Sequence, residues 1–438
     1  MRSTEHSAAQ ERLDADQHYV RAVTRMGDST SVVVAEDIFE SHGVKLLAKG
    51  SRVDSRVLDK LLGHNLRQPI DHSVTAEVSV SPAILAKAAA EVLATDAWWR
   101  AMADRSGDAI GIRDGLSRLK MPSTVCFRLT VAREQRPTLY HHSLRAALLC
   151  HYLALRLRLS PADTERLLLA ALCHDLGELH TDPAILESGH RISDDERRFV
   201  YVHPATGYLI LRDIAGVHPE VARAVLHHHE RLDGSGYPSG LRGDAISPLA
   251  QLLAVAEVAE SVLTRFADHR RLSVLLRLNL AKYHGSAISM LHEALAADEH
   301  RDQGTEALPF DTLNRQLALV SRLLSDWLRL RTTLPQAATP DTGPDLGFLF
   351  ERMGTLHMTL RKFGFDPDSF ETLAGLAEED AEIAAELNAA VEEMTFQFSE
   401  MAREIARHEE AAKLGLPAAA QDDFSRWKQE LTASFASV

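Results

Sequence analysis

The chain has 438 residues, 45% apolar and 25% charged, a balance that excludes wholesale disorder and fibrous repeats and, at roughly 100 to 200 residues per domain, predicts two or three domains. A formal charge of -14 leaves no general basic footprint for DNA or RNA, so any anionic ligand must be held by a local device such as metal ions. The longest apolar run, the seven residues from Leu167 to Cys173, is far short of the roughly 18 that span a bilayer.

The stretch Met1 to Gln17 is polar and acidic and lacks the apolar core of an export signal, so a cytoplasmic protein without membrane insertion is expected. From Ser31 to Ile70 the chain reads as a small β-containing module, with β-rich segments at Ser31 to Glu36 and Val44 to Ala48 and a helix from Asp54 to Gly63. Ala83 to Leu119 reads as a helical connector interrupted at Gly107 and Gly111. Ser160-Pro161 predicts a helix start, and the apolar run after it ends at Cys173-His174-Asp175. Ser193 and Glu196 suggest a capping box for the helix carrying His203, which Pro204 should break or kink. Further helices open at Pro219 and at Ser247-Pro248. The chain is expected to stay helical from Arg271 to Arg331, with a proline-bearing linker from Thr332 to Gly347.

Beyond it, apolar residues at 383, 387, 391, 394, 398, 401 and 405 form a helix-packing seam, either a hairpin folded on its own chain or a dimer coiled coil. This tail is acidic: Glu371 to Glu410 holds 12 acidic residues against Arg403 and Arg407. The expected fold is mainly α. The expected parts are a β-containing regulatory module (1–77), a helical connector (78–137), a catalytic domain (138–331), the linker (332–347) and the acidic helical region (348–438). That last region is where a homodimer or a signalling partner would dock.

Eleven of the 22 histidines lie between His141 and His229. Taken singly, a histidine is usually a surface or satisfied core residue, but here the group accompanies Glu257, a carboxylate inside the apolar stretch Leu252 to Ala259. A carboxylate so placed needs a cation or a proton. Imidazoles and carboxylates without a thiolate pair suit borderline divalent ions. The cysteines Cys126, Cys150 and Cys173 form no CxxC pair and read as reduced, buried thiols. A structural zinc site at Cys150-His151 and Cys173-His174 lacks compact ligand spacing, and His174-Asp175-Leu176-Gly177-Glu178 lacks the second histidine of a zinc-peptidase helix.

His142-Ser143, His174-Asp175-Leu176-Gly177, His203-Pro204, His228-His229-Glu230 and Asp233-Gly234-Ser235-Gly236-Tyr237-Pro238 occur in the order and spacing of the HD-GYP domain, a branch of the HD phosphohydrolases, which the region Thr138 to Arg271 resembles. The module at Val32 to Ile70 also looks like one that precedes such domains. The resemblance implies a helical HD-type bundle whose metal centre hydrolyses cyclic di-GMP to pGpG or GMP, through a hydroxide bridging the metals. It places one metal on His142, His174, Asp175 and Glu257 and a second on His203, His228 and His229, with Asp175 bridging and His141 and His227 as weaker neighbours. Two divalent ions, iron or manganese first and zinc or nickel next, would leave a net charge of about +2 for a phosphodiester and acidify a water to a pKa near 7. Gly234, Gly236, Tyr237 and Pro238 are expected to contact substrate, the glycines by close backbone approach and Tyr237 by stacking on a base or donating its hydroxyl.

The sequence departs from the family pattern in four places. The usual lysine three residues after Asp175 is Glu178, expected to face the metals and to bind an additional one or relay protons. The last metal-binding aspartate is Glu257, and a carboxylate used for a third metal is replaced by Thr138. The phosphate-gripping Arg-Pro-Tyr segment is absent, leaving Arg265, Arg270 and Arg271 as substitutes. These departures leave two alternatives: a weakly active or inactive signalling module that binds a nucleotide or partner, or a phosphohydrolase acting on another nucleotide.

Overall fold

A computed structural model describes residues 17–95, 97–187, 190, 192–266, 269–296, 309–333, 347–362, 370–407 and 418–435. The expected linker at 332–347 lies almost wholly outside them. By contacts the chain forms two units, one comprising Met1–Ser261 with Lys282–Asp298 and the other Val262–Ala281 with Glu299–Val438.

The first unit begins with helix α1 (17–29), which the sequence did not announce, and a module of two short antiparallel ladders. β1 (Val32–Val34) pairs with β4 (Val74–Ala76) in the register Val32 to Ala76, and β2 (Ile38–Phe39) pairs with β3 (Lys45–Leu47). Between them Asp54 caps the 3-10 turn Ser55–Val57 by accepting the Arg56 amide at 3.0 Å, ahead of α2 (Leu58–Leu62). The connector resolves into α3 (Pro82–Thr95), α4 (Ala97–Arg105) and α5 (Ala109–Gly115). Gly107, at φ +82°, breaks the chain as expected. Gly111 does not, because its amide is capped by the Asp108 carboxylate at 2.7 Å and it enters the first turn of α5.

The bundle that positions the histidines is α6 (Ser123–Gln135), α7 (Pro137–Arg156), α8 (Pro161–Cys173), α9 (Asp194–Tyr201), α10 (His203–Arg212), α11 (Pro219–His227) and α12 (Pro248–Phe266). Its caps are chemical. Ser160 accepts the Asp163 amide at 3.1 Å, and Ser193 with Glu196 closes a full capping box. Pro204 stands in the first turn of α10, where a missing amide hydrogen costs nothing, so it starts a helix just after α9 has ended. α7 packs on α8, with Leu144, Ala147 and Leu148 of the first and Leu168 and Leu172 of the second almost fully buried, and Leu252 to Ala256 of α12 are buried as well.

The helix expected from Arg271 to Arg331 is interrupted. α13 (His269–Leu278) ends in a turn, α14 (Gly285–Ala296) follows, and α15 (Phe310–Leu330) stands beyond residues that are not described. The second unit also contains α16 (Gly347–Lys362), α17 (Phe370–Glu379), α18 (Ala381–Arg407) and α19 (Ala418–Phe435). The predicted seam lies on α18. Leu387, Val391, Met394, Phe398, Met401 and Ile405 are buried against α13, α15, α17 and α19, with Trp327 and Trp427 in the same core. The seam is therefore filled by the chain itself, the hairpin-type alternative, and is not an open stripe for a coiled-coil partner. No helix among the described residues is long and apolar enough to cross a membrane.

Candidate metal centre

Five helices and one turn bring the predicted ligands together within the first unit. His142 comes from α7, His174 and Asp175 from the end of α8, His203 from the start of α10, and His228 and His229 from the end of α11. Glu257 comes from α12.

Three of the rings are oriented by the same device. His174 Nδ1 donates to the Ala171 carbonyl at 2.8 Å, His203 Nδ1 to Val200 at 2.6 Å and His228 Nδ1 to Val225 at 2.5 Å. A proton held on Nδ1 makes Nε2 a lone-pair donor, the form that binds metal. His142 is held differently, with Nδ1 against the Glu260 carboxylate, which Arg145 also grips.

All four Nε2 atoms converge on Asp175. Its Oδ2 lies 3.0 Å from His174 Nε2 and 3.5 Å from His142 Nε2, while its Oδ1 lies 3.2 Å from His203 Nε2 and 3.6 Å from His228 Nε2. Each oxygen faces one pair of rings, the arrangement of a carboxylate that bridges two cations. Within each pair the Nε2 atoms are 3.1 Å apart. Two lone pairs cannot hydrogen-bond to one another, so a shared cation at each pair fits the donor set. His229 joins the group around Asp175, His203 and His228.

Electrostatics point the same way. Burial pulls the His228 pKa down to about 3, so that ring is neutral, and burial likewise lowers that of His229. Burial also opposes a charge on His174, but Asp175 and Glu257 outweigh it and hold its pKa up at about 9. Burial works against the Asp175 anion too, and the surrounding rings still keep it ionised, well below the usual carboxylate range. The pocket attracts positive charge.

Glu257 is brought to the site without joining either ligand group. Its Oε2 is buried without a hydrogen-bond partner and lies 3.7 Å from His229 Nδ1, and burial raises its pKa. Glu178 pairs with Arg136 at 3.8 Å, and burial followed by the neighbouring Asp175 pushes its carboxyl up to about 7.

The glycine-bearing loop serves its own chain. Gly234, at φ +80°, packs against the Arg242 side chain. Gly236 has no positive φ, and a Cβ there would sit 2.4 Å from the backbone of His229, Glu230 and Arg231. The space a side chain would need is thus taken by this backbone. Tyr237 is stacked on His229 (4.5 Å, 23°) and on Tyr201 (4.3 Å, 17°). With two rings already stacked on it, neither face is open to a base, and only its edge and hydroxyl remain. Pro238 is exposed and follows a cis peptide bond. Arg265, exposed at the end of α12, Arg270 and Arg271 belong to the second unit. Burial pushes up the thiols of Cys150 and Cys173, the latter to about 12, and among the described residues neither cysteine stands in a group that could hold a metal ion.

Sequence reasoning missed Glu260, whose one signal is its place one turn after Glu257 on an apolar helix. It gave no role of its own to Glu230 in the His228-His229-Glu230 motif, whose buried carboxylate accepts the Ser239 and Leu241 amides at 2.7 and 2.9 Å and so fixes the loop.

With this geometry in hand, a family model described as an HD domain matches residues 127–269. The chain carries an HD domain. The chain aligns at 36% identity over 123 residues with a 3'3'-cGAMP-specific phosphodiesterase of Vibrio cholerae, covering 28% of this chain and 28% of that protein. It aligns at 37% over 123 residues with a cyclic di-GMP phosphodiesterase of Pseudomonas aeruginosa, covering 28% and 30%. The chain thus spans less than a third of the length of these curated relatives. Among solved structures, an HDG"Y"P protein from Bdellovibrio bacteriovorus is similar at 21% identity, with a TM-score of 0.35, over 49% of this chain and 71% of that one.

Proposed function

We propose that the chain is a metal-dependent phosphodiesterase that hydrolyses a cyclic dinucleotide, cyclic di-GMP first, to pGpG or GMP. The observation that carries this reading is Asp175, whose two oxygens each face a pair of imidazole Nε2 atoms. His142, His174 and Asp175 would hold one cation, with Glu257 as the further ligand that the family resemblance assigns to it, and Asp175, His203, His228 and His229 would hold the other. Iron or manganese suits these nitrogen and oxygen donors. When bound, two divalent ions supply Lewis acidity and an acidified water. The chain's own residues do the rest. Asp175 keeps the two sites at a fixed separation, and the carbonyls of Ala171, Val200 and Val225 hold three rings in one tautomer. Glu178, with a carboxyl pushed up to about 7, holds a proton near neutral pH and gives it to the departing ribose oxygen. The relatives' names support a cyclic dinucleotide as the substrate class, including the mixed 3'3'-cGAMP.

Glu178 also favours a second reading, a module that binds a nucleotide or partner and turns it over slowly, because it puts a carboxylate beside an anion site, paired with Arg136 at 3.8 Å. The test is to purify the full chain anaerobically, quantify its metals, and follow cyclic di-GMP and 3'3'-cGAMP with manganese or ferrous iron. Product formation that Asp175→Asn abolishes supports the enzyme. Binding without product selects the second reading, and turnover of other phosphoesters alone would replace the substrate class.

A further inference from the structure

Among the described residues of the first unit, a second deeply buried charged cluster lies outside the metal centre. Arg128 of α6, 2% exposed, donates from Nε to Asp71 Oδ2 at 2.6 Å. Asp71, 3% exposed, lies in the 3-10 turn Ile70–His72 of the N-terminal module, immediately before β4. The Arg128 guanidinium lies over the Tyr19 ring of α1 at 4.5 Å, and its Nη1 is 3.2 Å from His180 Nε2. His180 in turn stacks on Tyr19 with centroids 4.9 Å apart and 19° between the planes.

Stability is a poor explanation for this arrangement. A buried ion pair returns about what its desolvation costs, and apolar replacements are often as stable. Here Asp71 Oδ1 and the Tyr19 hydroxyl are buried without a hydrogen-bond partner, which weakens the balance further. The cluster does fix position. His180 is the last residue of the 3-10 turn Leu176–His180, and Asp175 is the N-cap of that same turn. The Glu178 amide donates to the Asp175 carbonyl at 2.9 Å and the Thr181 amide to the Glu178 carbonyl at 3.0 Å. A shift at His180 is therefore passed along hydrogen-bonded backbone to the residue that bridges the two histidine pairs.

We propose that Asp71, through Arg128 and His180, is a positioning residue for the metal centre. The N-terminal module sets the turn carrying Asp175 and Glu178, so a signal that moves the module acts on the site through this cluster. The catalytic consequence rests on the function proposed above, whereas the positional claim does not.

The test compares the full-length protein with Asp71→Ala, Asp71→Asn and Asp37→Ala, the last breaking the module's exposed ion pair with Lys45 at 2.6 Å. Hydrogen exchange reads amides 176–181, manganese titration reads metal affinity, and steady-state kinetics read kcat and KM for cyclic di-GMP. For Asp71→Ala the expected result is exchange in 176–181 faster by about tenfold with α7 still protected. Manganese affinity should fall about tenfold, and kcat should fall with KM within about twofold. Asp71→Asn, which keeps an acceptor for Arg128, should fall between, and Asp37→Ala should match the parent. If Asp71→Ala does not fold, Asp71→Asn and His180→Gln carry the same comparison. Unchanged exchange at 176–181 in folded variants would overturn the proposal. A parent protein that takes up no manganese would overturn the metal reading, while the exchange result would still decide this one.

Discussion

His142 differs from its neighbours in having a carboxylate, not a carbonyl, behind its ring. Glu260 is 1% exposed and serves both His142 and Arg145. Glu260→Ala is expected to lower metal affinity about 10- to 100-fold, the usual loss when a partner that orients a ligand is removed. It should also strand the Arg145 guanidinium without that carboxylate. Metal titration with folding monitored by circular dichroism checks this, and unchanged affinity would reassign Glu260 to packing. Glu178→Gln separates two effects that act in opposite directions. Losing the relay should cut kcat by about a hundredfold, while above pH 7, where the Glu178 carboxyl is ionised, losing that negative charge beside the phosphodiester should lower KM. A parallel fall in metal content would instead make Glu178 a ligand. The ligand types were legible in the sequence because imidazoles and carboxylates in an apolar setting demand a cation. Their orientation was not, since Ala171, Val200 and Val225 act through carbonyls that any residue supplies.

Two glycines let α10 approach the turn after α8 and let α11 approach α10 closely at this site. A Cβ on Gly177 would sit 2.1 Å from the His203 carbonyl oxygen and 3.0 Å from the Gly207 amide nitrogen, and one on Gly207 would press on Val225 at 2.8 Å. Gly177→Ala must therefore push α10 away from the turn after α8. The expected cost is about 1 to 3 kcal/mol of stability, with loss of the His203-side cation well before global unfolding. Thermal melts paired with metal analysis test this, and full metal content at reduced Tm would confine the effect to packing. Element boundaries with side-chain caps, such as Ser160 and the Ser193-Glu196 box, were readable because cap chemistry is local. β4 and the relation of α10 to the turn were not, because Val74 to Ala76 become a strand only by pairing with Val32 to Val34, some forty residues away. The packing at Gly236 was hidden for the same reason: what its missing side chain admits is backbone from residues 229 to 231.

At the scale of the whole chain, all the proposed ligands come from the first unit, and the second has its own core around Trp327, Trp427 and Phe398. The interleaving of the two was not legible: α13 goes to the second unit and α14 returns to the first, and neither composition nor linker chemistry marks the exchange. Two cores predict two thermal transitions, since each unit can lose its packing cooperatively. A cation bound at about a thousand times its Kd adds about 4 kcal/mol to the unit that holds it. For a domain of this size that raises its Tm by on the order of 10 °C. The acidic residues of the sequence stretch from Glu371 to Glu410 are the competing sink for divalent ions, but carboxylates that bind them equally in folded and unfolded chains shift no transition. Calorimetry with manganese and then with a chelator should thus move one transition up and back while the other stays. Movement of both by equal amounts would point to diffuse binding on carboxylates, and movement of neither would leave the histidine pairs without a cation.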